Sequence, residues 1–232
     1  MTLLVIAIAP SVALFLFFYL RDKYEKEPLR LLLRVFIFGA LMTIPAGILE
    51  YMWMVVGIHH DSGNLALTFV FTFFVIGITE EGMKYLVVKK VAYRDVNFNE
   101  PYDGIMYSVM ASLGFATLEN LGYVLPGGIH VGISRAVLAV PGHALFGVLM
   151  GYYIGLAKFT DNHSRRKKYL LAGLGLAVVT HGAYDFFLMG ESEIKFLPIL
   201  VLPLLILCWI YAYKATRLHA EGSPFSESKG KK

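Results

Sequence analysis

LALTFVFTFFVIGITEEGMKYLVV, Leu65 to Val88, is apolar enough to cross a bilayer, yet it carries Glu80, Glu81 and Lys84 in its interior. As a helix it would extend about 36 Å, enough to cross a hydrocarbon core of about 30 Å. A charged side chain near the bilayer centre costs about 2.5–3.5 kcal/mol on insertion scales. Three in one segment point to a protein interior or a watery cavity, not to a lipid-facing helix. The fold class that follows is all-α: a polytopic transmembrane bundle with its polar groups turned inward.

The rest of the chain repeats the pattern. Its 232 residues are 57% hydrophobic and only 16% charged, against about 25% charged in an average soluble domain. No polar stretch exceeds about 20 residues, too short for a soluble domain alongside. About seven spans are predicted, over residues 2–20, 31–56, 65–88, 102–125, 135–157, 169–189 and 196–213. The first lacks a basic leader and a small-residue cleavage site, so it reads as an uncleaved helix. Residues 1–213 form one transmembrane domain, and 214–232 a polar cytoplasmic tail expected to be disordered. The single cysteine, Cys208, excludes an intramolecular disulfide framework and a cysteine-cluster zinc site.

Loop charge sets the orientation. Arg21, Lys23, Lys26 and Arg30 fall in one loop, Lys89, Lys90 and Arg94 in the next basic one, and Lys158 and Arg165–Lys168 in a third. The tail adds Lys214, Arg217 and three further lysines, whereas the opposite side has only Arg135 and Lys195. The N-terminus is therefore expected outside and the C-terminus in the cytoplasm. The formal charge of +4 reflects this topology; no nucleic-acid partner is expected. Gly147, Gly151 and Gly155 form a small-residue stripe that favours close helix packing within the bundle over a dimer face.

Later spans carry Glu119, His143, His181 and Asp185 in equally apolar settings. Residues four apart share a helix face, which pairs Glu80 with Lys84 and His181 with Asp185. With a rise of about 1.5 Å per residue, Glu119, His143 and His181 lie roughly 9–12 Å below the outer surface, and Glu80 roughly 22 Å. They converge in the outer half of the membrane, where a water-filled cavity can reach them. A buried carboxylate beside a second one is suited to activating water. The histidines and an asparagine suit oxyanion stabilisation, and the same His and carboxylate set suits zinc. No His-Glu-x-x-His stretch is present. Lys84 reads as a structural counter-ion and Asp185 as an orienter of His181. Asn120 is read either as an oxyanion donor or as a partner for a backbone group. Glu50 is left open between helper, pairing partner and interfacial residue. His59, His60 and His130 are placed in solvated outer loops.

The motifs Glu80-Glu81-x-x-Lys84, Phe115-x-x-x-Glu119-Asn120, His143-x-x-x-Gly147 and His181-x-x-x-Asp185, with the loop Asp22–Pro28, resemble the PrsW family of bacterial intramembrane proteases. The resemblance runs from about residue 10 to residue 190. It implies cleavage of a single-pass membrane anti-sigma factor in its extracytoplasmic part, the first cut on the way to sigma-factor release and a stress response in the bacterial plasma membrane. It implies catalytic roles for Glu80, Glu81, Glu119, His143, His181 and Asp185, as a glutamic-type or a metal-dependent enzyme. In the second case Glu119, His143 and His181 are candidate zinc ligands. The distantly similar CAAX prenyl proteases end their second motif in His, where this chain has Glu119. Two other readings compete. A proton- or ion-coupled transporter would bury similar groups, but it commonly carries an internal repeat, and none is visible. A non-catalytic client-binding relative would need the packing glycines but not the full acid and imidazole set.

Overall fold

The computed structural model describes residues 1–59 and 63–226. Helices α1 (Thr2–Arg21), α2 (Leu29–Val55), α3 (Leu65–Ala92), α4 (Pro101–Val137), α5 (Ala139–Lys158), α6 (His163–Met189) and α7 (Val201–Glu221) follow one another with short connections. No strand is present among the described residues. Helix starts follow the local chemistry. Asn64 accepts from the amides of Ala66 and Leu67, and Asn162 from that of Arg165. Glu100 and Asp103 form a capping box around Pro101, which satisfies amides that lack a partner in the first turn.

Among the described residues six helical stretches are long and apolar enough to cross a membrane, one of them the 58-residue run Pro101–Lys158. A straight helix of that length would measure about 87 Å. The run instead folds back on itself as α4 and α5, which pack antiparallel: Gly104 meets Gly151 and Gly155, and Ser108 and Ser112 meet Gly147. With α4 and α5 counted separately, about seven membrane-length helices lie among the described residues, in line with the hydropathy reading, and the chain is a multi-pass membrane protein. The expected loop between the fourth and fifth spans is mostly helical. Gly128, at φ +78°, supplies a break that other residues adopt only at a cost. Residues 129–137 then form a short returning leg.

Helix α4 is the axis of the bundle. Nearly every residue from Tyr102 to Thr117 is buried, with α1, α2 and α5 packed around it. Side chains such as Leu33, Ile37, Ile44 and Ile48 on α2 remain exposed and present an apolar face suited to lipid. The glycine stripe of α5 is used inside the bundle. A Cβ on Gly151 would fall 2.4 Å from the Gly104 carbonyl oxygen, whereas one on Gly175 would meet nothing within 4 Å. Gly151→Ala should therefore destabilise the protein by about 1–3 kcal/mol through overpacking. Gly175→Ala should be neutral or stabilising by up to about 1 kcal/mol. Thermal unfolding of both variants in the same micelles checks the contrast.

The loop after α1 folds under the bundle. Asp22, Glu27, Glu100 and Asp103 are all buried. The Tyr107 hydroxyl donates to Glu27, and Asn99 donates to Glu25. Burial pushes the carboxyls of Asp22 and Glu27 up to about 7. In the folded protein both groups then bind protons up to about pH 7, whereas the unfolded chain has already released them. Stability should accordingly fall as pH rises through 7, and the unfolding midpoint should be higher at pH 6 than at pH 8.

The first part of the tail is helical. Helix α7 continues to Glu221 because its polar extension still packs: His219 is buried and stacks on Tyr152 at 4.4 Å, and Arg217 pairs with Glu221 four residues on. Only the part after residue 226 lies outside the described residues. His60 also lies outside them. His130 is exposed as expected, on the helical leg rather than in a loop.

Candidate active site

A π-helical turn, Phe71–Gly77, precedes the Thr79-Glu80-Glu81 segment of α3. Such wide turns often accompany functional sites because they re-aim the side chains that follow. Here Glu80, Glu81 and Lys84 all point into the bundle and are buried. Lys84 Nζ donates to Glu80 Oε2 at 3.0 Å and to Glu81 Oε1 at 2.7 Å. It lies 3.0 Å from His143 Nδ1 and 4.3 Å from the centre of the Phe115 ring. The counter-ion role read from the sequence thus extends to both glutamates and to a histidine on α5.

His181 is held between carboxylates, and His143 between a carboxylate and the Lys84 ammonium. His181 Nδ1 is 2.8 Å from Glu81 Oε1, and its Nε2 is 3.2 Å from Asp185 Oδ2 and 3.8 Å from Glu80 Oε2. His143 turns Nδ1 toward Lys84, and its Nε2 is 2.9 Å from Glu119 Oε2. The two rings are 5.1 Å apart, and Phe146 stacks on His181. A carboxylate behind an imidazole fixes its tautomer and tilt.

Glu80, Glu81, His143 and His181 each place one ligand-type atom within 4.8 Å of all the others. Glu119 stands outside this group, on the far side of His143. The four donors fit zinc by type, two imidazoles and two carboxylates. Glu81 also keeps one buried oxygen, Oε2, without a hydrogen-bond partner, which a cation would satisfy. Lys84 now sits against three of the four donors, so an ion bound by all four would share them with, or displace, the ammonium.

A cavity of about 610 Å³ adjoins the cluster, lined by Glu50, Glu80, Glu119, His143, His181 and Asp185. Glu81 is absent from its walls, so the paired glutamates face different surroundings. The cavity continues past Arg135, Leu138 and Met189, toward the helix ends opposite the basic loops. Glu50, left undecided by the sequence, lines this space, and its Oε1 is buried without a partner.

Arg135 is the residue that sequence reasoning missed. Counted there as a loop charge, it lies 3.0 Å from Glu119 Oε2 and donates through Nε to Asn120 Oδ1 at 2.6 Å. Its guanidinium covers the Tyr123 ring at 4.3 Å. The available signal was its isolation as one of only two basic residues read on that side. Asn120 resolves toward the structural role, since its amide donates to the Ala7 carbonyl at 3.0 Å.

Comparison with known proteins decides the family. The description "PrsW family intramembrane metalloprotease" matches residues 27–212. The chain belongs to the PrsW family. Protease PrsW of Geobacillus kaustophilus (strain HTA426) is 43% identical over 186 residues, 80% of this chain and 79% of that protein. Protease PrsW of Halalkalibacterium halodurans is 38% identical over 213 residues, 92% of this chain and 95% of the relative. The Bacillus subtilis (strain 168) Protease PrsW is 35% identical over 210 residues, covering 90% and 92%. No solved structure gives a significant match. As a PrsW family member the chain is an intramembrane protease, and its buried acid and histidine cluster is compatible with the metalloprotease description.

Proposed function

We propose that the protein cuts a single-pass, membrane-anchored anti-sigma factor near the outer face of the bacterial plasma membrane, with its N-terminus outside and its C-terminus in the cytoplasm. The observation that carries this reading is the meeting of Glu80, His143 and His181 at one wall of a cavity that leads away from the basic loops. An apolar groove between α2 and α4, along Ile44, Ile48, Leu121 and Leu125, shares Thr43, Gly47, Leu118 and Gly122 with that cavity. It offers a membrane-embedded segment a sideways path to Glu80.

Of the paired glutamates, Glu80 is the one that faces the cavity, and it is assigned the general-base role. It takes a proton from water as the water oxygen bonds to the scissile carbonyl carbon. It returns that proton to the amide nitrogen as the C–N bond breaks. Glu81, His143 and His181 would hold zinc, which when bound supplies Lewis-acid polarisation of the carbonyl. Asp185 holds His181, and Glu119 holds His143, in the required orientation. Arg135 in turn fixes Glu119. Lys84 offsets the charge of the paired glutamates.

Reconstitution in liposomes with a tagged single-pass anti-sigma factor tests the proposal. Wild type should release a fragment cut in the extracytoplasmic part, a chelator should stop the release, and added zinc should restore it. Cleavage that persists in chelator would remove zinc and leave Glu80 acting without a metal. Proton or ion flux with no cleavage would favour a transporter.

A further inference from the structure

The cytoplasm-facing end, as oriented above, holds a second polar cavity, of about 490 Å³, which shares no lining residue with the cavity beside the cluster. Lys89, Lys90, Tyr93, Arg94, Lys158 and Arg166 line it. Five of these six residues are cationic and none is acidic. Among the described residues none of the five forms an ion pair. Lys158 Nζ instead donates to the Tyr93 carbonyl at 2.6 Å, and Arg166 donates to the carbonyls of Ala157 and Thr160. Lys89 Nζ rests 3.3 Å from the centre of the Tyr93 ring, with Lys158 Nζ at 5.3 Å from it.

Topology alone puts cations on this side of the membrane, but it does not gather them around one hollow. Acidic side chains are present at the same end. Asp22, Glu27, Glu100 and Asp103 are buried there, and the five cations are not paired with them. Lys89, Lys158 and Arg166 are half-buried, and Lys90 and Arg94 are exposed beside them. Like charges held together repel, and an anion in their midst relieves that repulsion. The cations also come from three separate places: the final π-helical turn of α3 and the residues just beyond it, the last residue of α5, and the first turn of α6. Basic pockets between membrane helices at the cytoplasmic side suit phosphate-bearing head groups.

We propose that this cavity binds a phosphate group, and that an anionic lipid head group is the form that reaches it in the membrane. A bound phosphate would tie together the inner ends of α3, α5 and α6, the helices that carry Glu80 and Glu81, His143 and His181.

Native mass spectrometry of the purified protein, titrated with phosphatidylglycerol or phosphatidylcholine, tests the site. Wild type should retain phosphatidylglycerol and not phosphatidylcholine. Lys89→Gln/Lys90→Gln removes two cations that make no hydrogen bond to the fold, and it should weaken retention by about thirty-fold. Lys167→Gln/Lys168→Gln, two exposed lysines of the same end that do not line the cavity, should retain lipid as wild type does. An unchanged unfolding midpoint in phosphatidylcholine-containing micelles shows that each variant is folded, and Arg94→Gln serves if the first does not fold. If inorganic phosphate raises the midpoint of wild type but not of the cavity variant, while phosphatidylglycerol is not retained, the phosphate site stands and its source is soluble. Equal losses in both lysine pairs, or no loss in either, would overturn the proposal.

Discussion

Glu80→Gln should lower the rate of substrate cleavage by about a thousand-fold while the protein stays folded. A positioned general base contributes roughly 10²–10⁴ in rate, and Gln keeps the shape and an acceptor oxygen for Lys84 while losing the basicity. Glu80 is singled out because it lines the cavity and Glu81 does not. Glu81 is fully buried and bridges Lys84 and His181, so Glu81→Gln should disturb stability as well as rate. Single-turnover cleavage measured beside thermal unfolding separates the two. Unimpaired cleavage by Glu80→Gln would take the general-base role away from this residue.

Lys84→Met should destabilise the protein by about 3–5 kcal/mol, the usual cost of leaving a buried charge without its partner. Lys84 is 0% exposed and is the cation that contacts both Glu80 and Glu81. Met fills a similar volume, so lost packing contributes little. The deficit should shrink when Glu81→Gln is added, because one of the stranded charges goes with it. The pair should therefore fall well short of the sum of the single effects. Chemical unfolding of the two single variants and the double variant in micelles measures that coupling. Additive losses would mean that Lys84 acts through packing rather than charge.

The spans were legible because hydropathy and length are local properties. The residues that meet in the candidate site were legible as a group because buried ionisable groups stand out against an apolar background, and because His181 and Asp185, or Glu80 and Lys84, declare a shared face by their spacing. What spacing along one helix cannot give is which faces meet across the bundle. Glu119 and His143 sit on different helices, and their contact depends on the antiparallel return of α5 along α4. Arg135 was misplaced for a related reason. Its segment reads as a loop around Pro126, Gly127 and Gly128, and only the positive φ at Gly128 shows a leg that swings back over Glu119. Glu80, on the cavity wall, and Glu81, behind it, point apart because neighbouring helical residues do, and which of the two faces the cavity depends on how α3 packs, which no periodicity announces. Residues 214–221, read as the start of a polar tail, continue α7 because a short helical extension needs only a few contacts, such as His219 on Tyr152, to persist.

The central claim is that water reaches Glu80 through the cavity from the side away from the basic loops. Thiol labelling tests it most directly. Cys208 is the single cysteine and is buried, so Cys208→Ala gives a silent background for Glu80→Cys. A membrane-impermeant thiol reagent added to oriented vesicles from the side of the N-terminus should label this variant, and the same reagent from the side of the C-terminus should not. Labelling from the C-terminal side only, or from neither side, would contradict the account.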